Sequence, residues 1–222
     1  MIGIVVALKS EASALLNELS QLKEFKIADK PAFSGRLCDK DVILIISGIG
    51  KVSAGLSTQM LIDKYSPDFI LNFGTCGGIN NSVEVLKYYA IDKCCQFDFD
   101  LTKLEDVPLG YIQEYDTVFF STRTKGLDFL PKSVLATADR FTSEKSDIDT
   151  VNQIGASLCD MEGGAIAQVC TSNSVPAVLI KGISDVTGSG THQDQFLKNL
   201  KAVGEGFPEI IKKVIIAVSD SL

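Results

Sequence analysis

An acidic residue ends one of the most apolar runs of this sequence. Asp185 follows the strand-like run 177–183, and a carboxylic acid in a low-dielectric cleft at that place could hold a proton and donate it to a leaving group. The alternative is that Asp185 caps a following helix, which is a common use of aspartate. Residues 187–190, however, include two glycines and are poor helix formers, so the pattern favours a proton donor.

A second acidic segment contains Asp160, Met161 and Glu162, followed by two glycines. A buried glutamate beside a methionine suits a sugar, because the carboxylate can accept hydrogen bonds from two hydroxyl groups while the thioether packs against the ring. The alternative is electrostatic, since carboxylates are favoured at the N-terminus of a helix such as the one predicted over 163–171. That alternative accounts for Asp160 well and for Glu162 only in part.

Two glycine-rich segments also follow apolar runs. Residues 72–78 end a predicted strand with three glycines and the hydroxyl of Thr75, a pattern as consistent with a structural turn as with a ligand contact. Residues 47–52 resemble a nucleotide-binding loop but lack its features. Val52 follows the lysine where a Walker A loop needs Ser or Thr, and Ser53 stands where a Rossmann turn needs glycine or alanine. We therefore expect a tight strand-to-helix turn there.

The elements that would position these residues alternate along the chain. Apolar runs predict strands over residues 2–8, 41–47, 69–73, 134–138 and 177–183. Helical patterns cover residues 10–19, 51–64, 163–171 and 193–218, the last with a break at 204–208. Residues 98–128 are rich in charged and aromatic side chains and are predicted to form extended strands and loops.

This alternation predicts an α/β fold, a single domain over residues 1–222 with a central mixed, largely parallel sheet flanked by helices. In open α/β sheets, ligands bind at the carboxyl ends of the strands. The acidic and glycine-rich segments all follow strands, so we expect them to meet at one edge of the sheet.

Composition restricts the classes of partner. The 222 residues are 45% apolar and 22% charged, which is typical of a globular protein. The net charge of −7 disfavours phosphate backbones and anionic membrane surfaces. No apolar run approaches the roughly 20 residues that span a bilayer. We therefore expect a small neutral or zwitterionic ligand, no nucleic acid and no membrane partner.

The cysteines and the histidine restrict the chemistry further. The six cysteines include no C-x-x-C pair, so we expect free thiols in a reducing cytoplasm. His192 is the sole histidine of the sequence, which excludes a polyhistidine metal site. We expect neither a metal nor a cofactor.

Five segments together resemble the bacterial methylthioadenosine/S-adenosylhomocysteine nucleosidases, which belong to the nucleoside phosphorylase superfamily. They are residues 1–19, 47–54, 72–78, 160–169 and 183–186. They occur in the family's order and spacing over most of the chain, while residues 96–131 match poorly. The resemblance implies a nucleoside phosphorylase-like fold and hydrolysis of the N-glycosidic bond of an adenosine-type nucleoside.

The resemblance also implies roles for individual residues. Glu11 would activate the attacking water, and Asp185 would protonate or hydrogen-bond N7 of the purine, which is the acid–base logic of an inverting glycosidase. Lys181 stands where these enzymes usually have an arginine that helps to place the water, and lysine lacks its planar fork. The substrate would be bound by Glu162 on the ribose hydroxyls, Met161 under the sugar, Phe141 on the base, the Thr142 backbone at the base edge, Thr75 near the ribose and the water, and Gly77 and Ser184.

The superfamily contains phosphorylases as well as hydrolases, and arginines distinguish them, because dianionic phosphate is bound by arginine forks. None of the arginines of this chain lies in the turns that contain Glu11, Thr75 or Asp185; they are Arg36, Arg123 and Arg140. Since Glu11 would also repel phosphate, we expect water as the nucleophile. A purine nucleoside phosphorylase is the alternative.

The sequence is consistent with several substrates. The loop 187–195 is shorter than in the family and lacks its aromatic residue over the 5′ substituent, so methylthioadenosine, S-adenosylhomocysteine, a futalosine-type nucleoside and a plain purine nucleoside are all candidates. A catalytically silent nucleoside-binding protein is the alternative of another class, although a binder needs no base such as Glu11. Because family members close such sites with a neighbouring subunit, we expect a homodimer.

Overall fold

The computed structural model describes residues 1–79, 83–186 and 192–221, with the backbone alone over 192–195. These ranges form ten strands, five α-helices and a 3-10 turn at Gln113–Tyr115. In chain order the elements are β1 (Ile2–Val6), α1 (Lys9–Leu16), β2 (Ser20–Ile27), β3 (Lys30–Leu37), β4 (Lys40–Ile46), α2 (Lys51–Tyr65), β5 (Phe69–Gly78), β6 (Tyr88–Gln96), β7 (Phe120–Ser121), β8 (Lys132–Thr137), α3 (Lys145–Ile154), β9 (Leu158–Asp160), α4 (Gly163–Ser172), β10 (Ala177–Val186) and α5 (His192–Ser219).

All ten strands belong to one mixed sheet. Its centre is parallel, with β1 between β4 and β5 and with β10 on the other side of β5. β10 pairs antiparallel with β6, parallel pairing leads from β6 through β8 to β9, and β9 returns antiparallel to β5. The strands β5, β10, β6, β8 and β9 therefore close a ring. Beyond β4, the antiparallel strands β3 and β2 extend the sheet.

Helices cover the two faces of the parallel centre, and the side chains of β1 show how. Ile4 and Val6 point to the face packed by α1 and α5, whereas Val5 between them belongs to the cluster that contains residues of α2 and α4. Successive side chains of a strand point to opposite faces, so a strand covered on both sides is apolar throughout. This explains why the central strands are continuous apolar runs. No helix in the described ranges is long and apolar enough to cross a membrane.

Each predicted strand and helix is present, with ends that differ by a few residues, and residues 98–128 contain only β7 and the 3-10 turn among loops. The predicted break of the last helix at 204–208 is wrong, because α5 continues through Pro208. A proline inside a helix costs about 3 kcal/mol. Tertiary packing offsets that cost: the fully buried ring of Phe207 contacts Phe73 and Tyr88 at centroid distances of 4.8 and 5.1 Å.

Candidate active site

A cavity of about 220 Å³ lies at the carboxyl edge of the central strands. It is bounded by the ends of β5, β9 and β10, by the segments that follow β1, β4 and β8, and by α5. Its walls are formed by Ala7, Leu8, Glu11, Ile49, Thr75, Cys76, Gly77, Arg140, Phe141, Thr142, Cys159, Asp160, Met161, Glu162, Ser184, Asp185 and Phe196. The acidic and glycine-rich segments therefore do meet at one edge of the sheet.

Glu11 lies in the first turn of α1 and is only 3% exposed. Its Oε1 accepts hydrogen bonds from the N–H and the hydroxyl of Thr75, at 2.6 and 2.7 Å, and its Oε2 accepts from the Leu8 N–H at 3.2 Å. A Cβ at Gly74 would lie 3.1 Å from Oε1, so glycine there lets β5 approach the carboxylate closely. Three donors hold the carboxylate in one orientation beside the cavity, as an acceptor of a proton from water requires.

Asp185 lies on β10 and is 2% exposed. It pairs in register with Gly77 of β5 just after a β-bulge, and a Cβ at Gly77 would lie 3.4 Å from its Oδ2. The hydroxyl of Ser184 lies 2.6 Å from Asp185 Oδ1 and 3.1 Å from the Cys76 carbonyl oxygen. A hydroxyl has one proton to donate, so when it donates to Cys76 it can accept from a protonated Asp185. The contacts thus accommodate both protonation states of the carboxyl group.

Glu162 precedes α4 and is 7% exposed. Its Oε1 accepts a hydrogen bond of 2.9 Å from the Gly50 N–H at the start of α2. Burial raises the pKa of Glu162 to about 7, and the charge of Asp160 acts in the same direction. The charge of Lys181 and the Gly50 hydrogen bond oppose that rise. The Glu162 carboxyl group therefore titrates near neutral pH.

Beneath the cavity, Asp160 forms an ion pair of 2.8 Å with Lys181, and the two side chains are 1% and 2% exposed. Asp160 also accepts hydrogen bonds from the Gly163 N–H at 2.8 Å and from the Thr137 hydroxyl at 2.6 Å. Burial by itself lowers the pKa of Lys181, but the charges of Asp160 and Glu162 more than offset it, so the net shift is upward. Lys181 therefore stays protonated and neutralises charge below the site.

Two aromatic rings stand together at the cavity. Phe141 is 44% exposed and meets Phe196 of α5 edge-on, with ring centroids 5.9 Å apart and planes at 71°. The prediction that the loop 187–195 lacks an aromatic residue falls mostly outside the described residues, which include only the backbone of 192–195. The residue that follows this loop, Phe196, supplies an aromatic ring to the cavity wall.

Nine of the ten predicted site residues lie in the cavity wall. The tenth, Lys181, does not, because its ammonium group pairs with Asp160 underneath. Sequence reasoning did not name several wall residues: Ala7, Leu8, Ile49, Cys76, Arg140, Cys159 and Phe196. Two of them had a usable signal, since Ile49 lies inside the glycine-rich turn 47–52 and Cys76 inside the glycine-rich segment 72–78.

The cysteines add no metal centre or crosslink. All six are free, and five of them are buried. Burial is the largest cause of the raised pKa of the cavity thiol Cys159, which reaches about 12. Within the described part of the chain, no group of three or more His, Cys, Asp or Glu side chains could hold a metal ion.

The fold and the buried carboxylates at the strand ends define the class of protein. Residues 1–216 match the Phosphorylase superfamily, and the chain belongs to it. It is 31% identical over 227 residues to the 5′-methylthioadenosine/S-adenosylhomocysteine nucleosidase of Oceanobacillus iheyensis, covering 96% of this chain and 99% of that one. It is 32% identical over 202 residues to the nucleosidase of the same name from Tolumonas auensis, covering 85% and 87%.

A solved structure from Borrelia burgdorferi that carries the same nucleosidase name, with adenine bound, is 28% identical to this chain. The match covers 97% of this chain and 99% of that one with a TM-score of 0.89. Within the superfamily, the chain therefore belongs to the family of 5′-methylthioadenosine/S-adenosylhomocysteine nucleosidases.

Proposed function

We propose that this protein hydrolyses the N-glycosidic bond of an adenosine-type nucleoside, with 5′-methylthioadenosine and S-adenosylhomocysteine as the favoured substrates. The products are adenine and the free ribose derivative. The observation on which the proposal chiefly rests is that Glu11 and Asp185 are both buried in the wall of one cavity, with Glu162 beside them. The names of the relatives support the choice of substrate.

In the proposed reaction, Glu11 takes a proton from water, and the water oxygen bonds to the anomeric carbon of the ribose. The bond between that carbon and the purine nitrogen breaks, and its electron pair stays with the base. Asp185 delivers a proton to N7, because a purine leaves poorly as an anion. Glu162 accepts hydrogen bonds from the ribose hydroxyls, where a negative charge also favours the cationic sugar of the transition state.

Glu11 and Asp185 approach β5 at two different points. A Cβ at Gly74 would lie 3.1 Å from Glu11 Oε1, and a Cβ at Gly77 would lie 3.4 Å from Asp185 Oδ2. Inverting glycosidases likewise use two separate carboxyl groups, one as the base for water and one as the acid for the leaving group. The separate positions of the two carboxylates support separate roles as base and acid.

The arginines are bonded to other groups of the protein, which favours water over phosphate as the nucleophile. Among the described residues, Arg140 is the one arginine in the cavity wall, and its guanidinium donates two hydrogen bonds to Asp147, at 2.7 and 2.9 Å. Arg36 pairs with Asp41 away from the cavity, and Arg123 donates to Ser221. A dianionic phosphate next to Glu11 would meet a carboxylate there instead of a guanidinium fork.

A panel of nucleosides with and without phosphate tests the proposal. We expect adenine release from 5′-methylthioadenosine and S-adenosylhomocysteine at the same rate in both conditions, with free sugar as the second product. A rate that requires phosphate, with a sugar phosphate as product, would make the protein a phosphorylase. Tight binding without turnover of any nucleoside, including a futalosine-type one, would make it a silent binder.

We also propose a cytoplasmic homodimer. Free thiols fit a reducing compartment. Ile49 at the cavity mouth and Val52 and Leu56 on one side of α2 are 54%, 81% and 51% exposed, an apolar patch of the kind that marks a protein interface. Light scattering should give twice the chain mass at micromolar concentration. A stable monomer at that concentration would contradict the proposal.

A further inference from the structure

Beside the cavity, three residues from three separate segments close a ring of hydrogen bonds. Lys51 begins α2, Asp98 follows β6, and Asp139 follows β8. The Lys51 ammonium donates to Asp98 Oδ1 at 2.5 Å, and the Lys51 N–H donates to Asp139 Oδ1 at 2.7 Å. The Asp139 N–H in turn donates to Asp98 Oδ2 at 2.8 Å, which closes the ring.

On one side, the ring is next to a residue that contacts Glu162, the carboxylate proposed to bind the ribose. The residue before Lys51 is Gly50, whose N–H donates to Glu162 Oε1. Gly50 has a φ of 96°, and a Cβ there would lie 3.0 Å from Asp139 Oδ1, so the close approach of this turn to Asp139 requires glycine. Consecutive N–H groups of one turn thus bind Glu162 and Asp139. A contact that holds this turn in place therefore also holds the Gly50 N–H, which orients Glu162.

On the other side, the ring is next to the segment proposed to contact the purine. Asp139 is followed by residues 140–142, and the side chains of Phe141 and Thr142 line the cavity. Asp98 holds the Asp139 backbone through its Oδ2, so it anchors the start of this segment. The ring therefore joins the turn that orients Glu162 to the segment that would contact the purine.

We propose that Lys51, Asp98 and Asp139 are positioning residues that keep the ribose-binding and base-binding parts of the cavity in register. This inference rests on the proposed nucleosidase function. None of the three lies in the cavity wall, so they act through Glu162 and through residues 141–142. Disruption of the ring should weaken substrate binding more than it slows the chemical step, since the ring contacts neither Glu11 nor Asp185.

Asp139 is exposed, but partial burial distinguishes the Lys51–Asp98 pair of this ring from an ordinary surface ion pair. The side chains of Lys51 and Asp98 are 17% and 13% exposed, and their segments are 47 residues apart in sequence. Exposed pairs contribute little because water screens them and because two long side chains must be ordered. Here one carboxylate accepts from a side chain and from a backbone N–H at once, so its position is determined by two separate segments.

Asp98→Ala tests the inference, with Asp100→Ala as the matched control. Asp100 lies two residues further on and accepts hydrogen bonds from Thr102 within its own turn. We expect Asp98→Ala to raise KM for 5′-methylthioadenosine about tenfold with kcat within threefold, as loss of ground-state binding geometry predicts. Asp100→Ala should leave both constants within about twofold. An unchanged KM in Asp98→Ala, or a fall in kcat alone, would overturn the inference.

A second pair of variants applies if Asp98→Ala does not fold. Lys51→Met removes one hydrogen bond of the ring and should raise KM about threefold. Lys51→Arg keeps the cation, so its KM should stay close to the wild-type value. Equal KM values for the two variants would contradict a positioning role for the ring.

A crystal structure separates this inference from the proposed function. If the wild-type protein released no adenine, the function would fail while the ring could still be assessed by geometry. In Asp98→Ala or Lys51→Met we expect the Gly50 N to Glu162 Oε1 distance to exceed about 3.5 Å, the limit of a hydrogen bond. An unchanged distance would show that the ring does not position Glu162.

Discussion

Two buried glutamates in the same cavity are held in different ways. The Glu11 carboxylate accepts three hydrogen bonds, from the N–H groups of Leu8 and Thr75 and from the Thr75 hydroxyl. Glu162 accepts a hydrogen bond from Gly50 and lies beside the charges of Asp160 and Lys181. One residue type therefore occupies two different electrostatic environments a short distance apart.

This difference explains how one cavity can both activate water and bind a sugar. A carboxylate held by three donors keeps one position and has one of its roughly four acceptor sites left, which suits an acceptor aimed at a single water. A carboxylate with free acceptor capacity can instead bind the hydroxyl groups of a ligand, at the cost of a raised pKa while the ligand is absent. The four predictions below test that contrast, from the largest expected effect to the smallest.

Glu11→Gln should abolish hydrolysis, because it removes the base proposed to activate water. Glutamine keeps the size and most of the hydrogen bonds but cannot take a proton, so we expect kcat to fall by about 10⁴-fold, at the upper end for loss of a general base. Nucleoside binding, measured by calorimetry, should survive, and added phosphate should not restore turnover. Restoration by phosphate would show that Glu11 is not the essential base.

Asp185→Asn removes a proton donor and little volume, so the fold should be retained. Adenine release should slow by roughly 10²–10⁴-fold, the usual range for a general acid. The dissociation constant for a neutral nucleoside should change less than kcat. Turnover near the wild-type rate would mean that Asp185 has only a structural role at the end of β10.

Lys181→Met tests the buried ion pair of Lys181 and Asp160, which lies beneath the part of the cavity proposed to bind the sugar. It leaves the Asp160 carboxylate buried and without its cation, which typically costs 3–5 kcal/mol of folding free energy. For a chain of this length, that corresponds to a fall in Tm of about 10 °C, measured by calorimetry. The exposed Lys87, paired with Glu84, is the matched control, and Lys87→Met should change Tm little. Equal Tm values for the two variants would contradict a structural role for the buried pair.

The pH dependence of KM reports on Glu162 itself. Its pKa is raised to about 7, so the group is neutral below that pH and ionised above it. If the ionised form binds the ribose hydroxyls, KM should fall about tenfold as pH rises from 6 to 8, in proportion to the ionised fraction. Glu162→Gln should remove this dependence. A KM that rises with pH would assign ribose binding to the neutral form.

Much of the site could be predicted because polar residues interrupt apolar runs at strand ends. Glu11 follows β1 and Asp185 lies at the end of β10, and parallel strands present their carboxyl ends at one edge. The position of Lys181 could not be predicted this way, because it lies inside an apolar run and its partner Asp160 is 21 residues away. Phe196 belongs to an amphipathic helix, in which an aromatic residue has no feature that marks a ligand contact.

The fold was predicted best where both faces of a strand are buried. The hairpin of β2 and β3 was missed because β2 is mostly exposed and has no apolar periodicity. The turn between β3 and β4 consists of Cys38 and Asp39, both with positive φ, instead of the Asn-Gly pair that usually marks such a turn. The predicted break near Pro208 failed because burial of the last helix outweighs the local preference of proline.

The stereochemistry of the product tests the central claim most directly. If Glu11 activates water on one face of the sugar while Asp185 protonates the base on the other, a β-nucleoside must first give the α-anomer of the free sugar. Proton NMR at low temperature and high enzyme concentration, faster than mutarotation, would identify the first anomer formed. We predict the α-anomer. Initial formation of the β-anomer, or of a sugar phosphate, would contradict it.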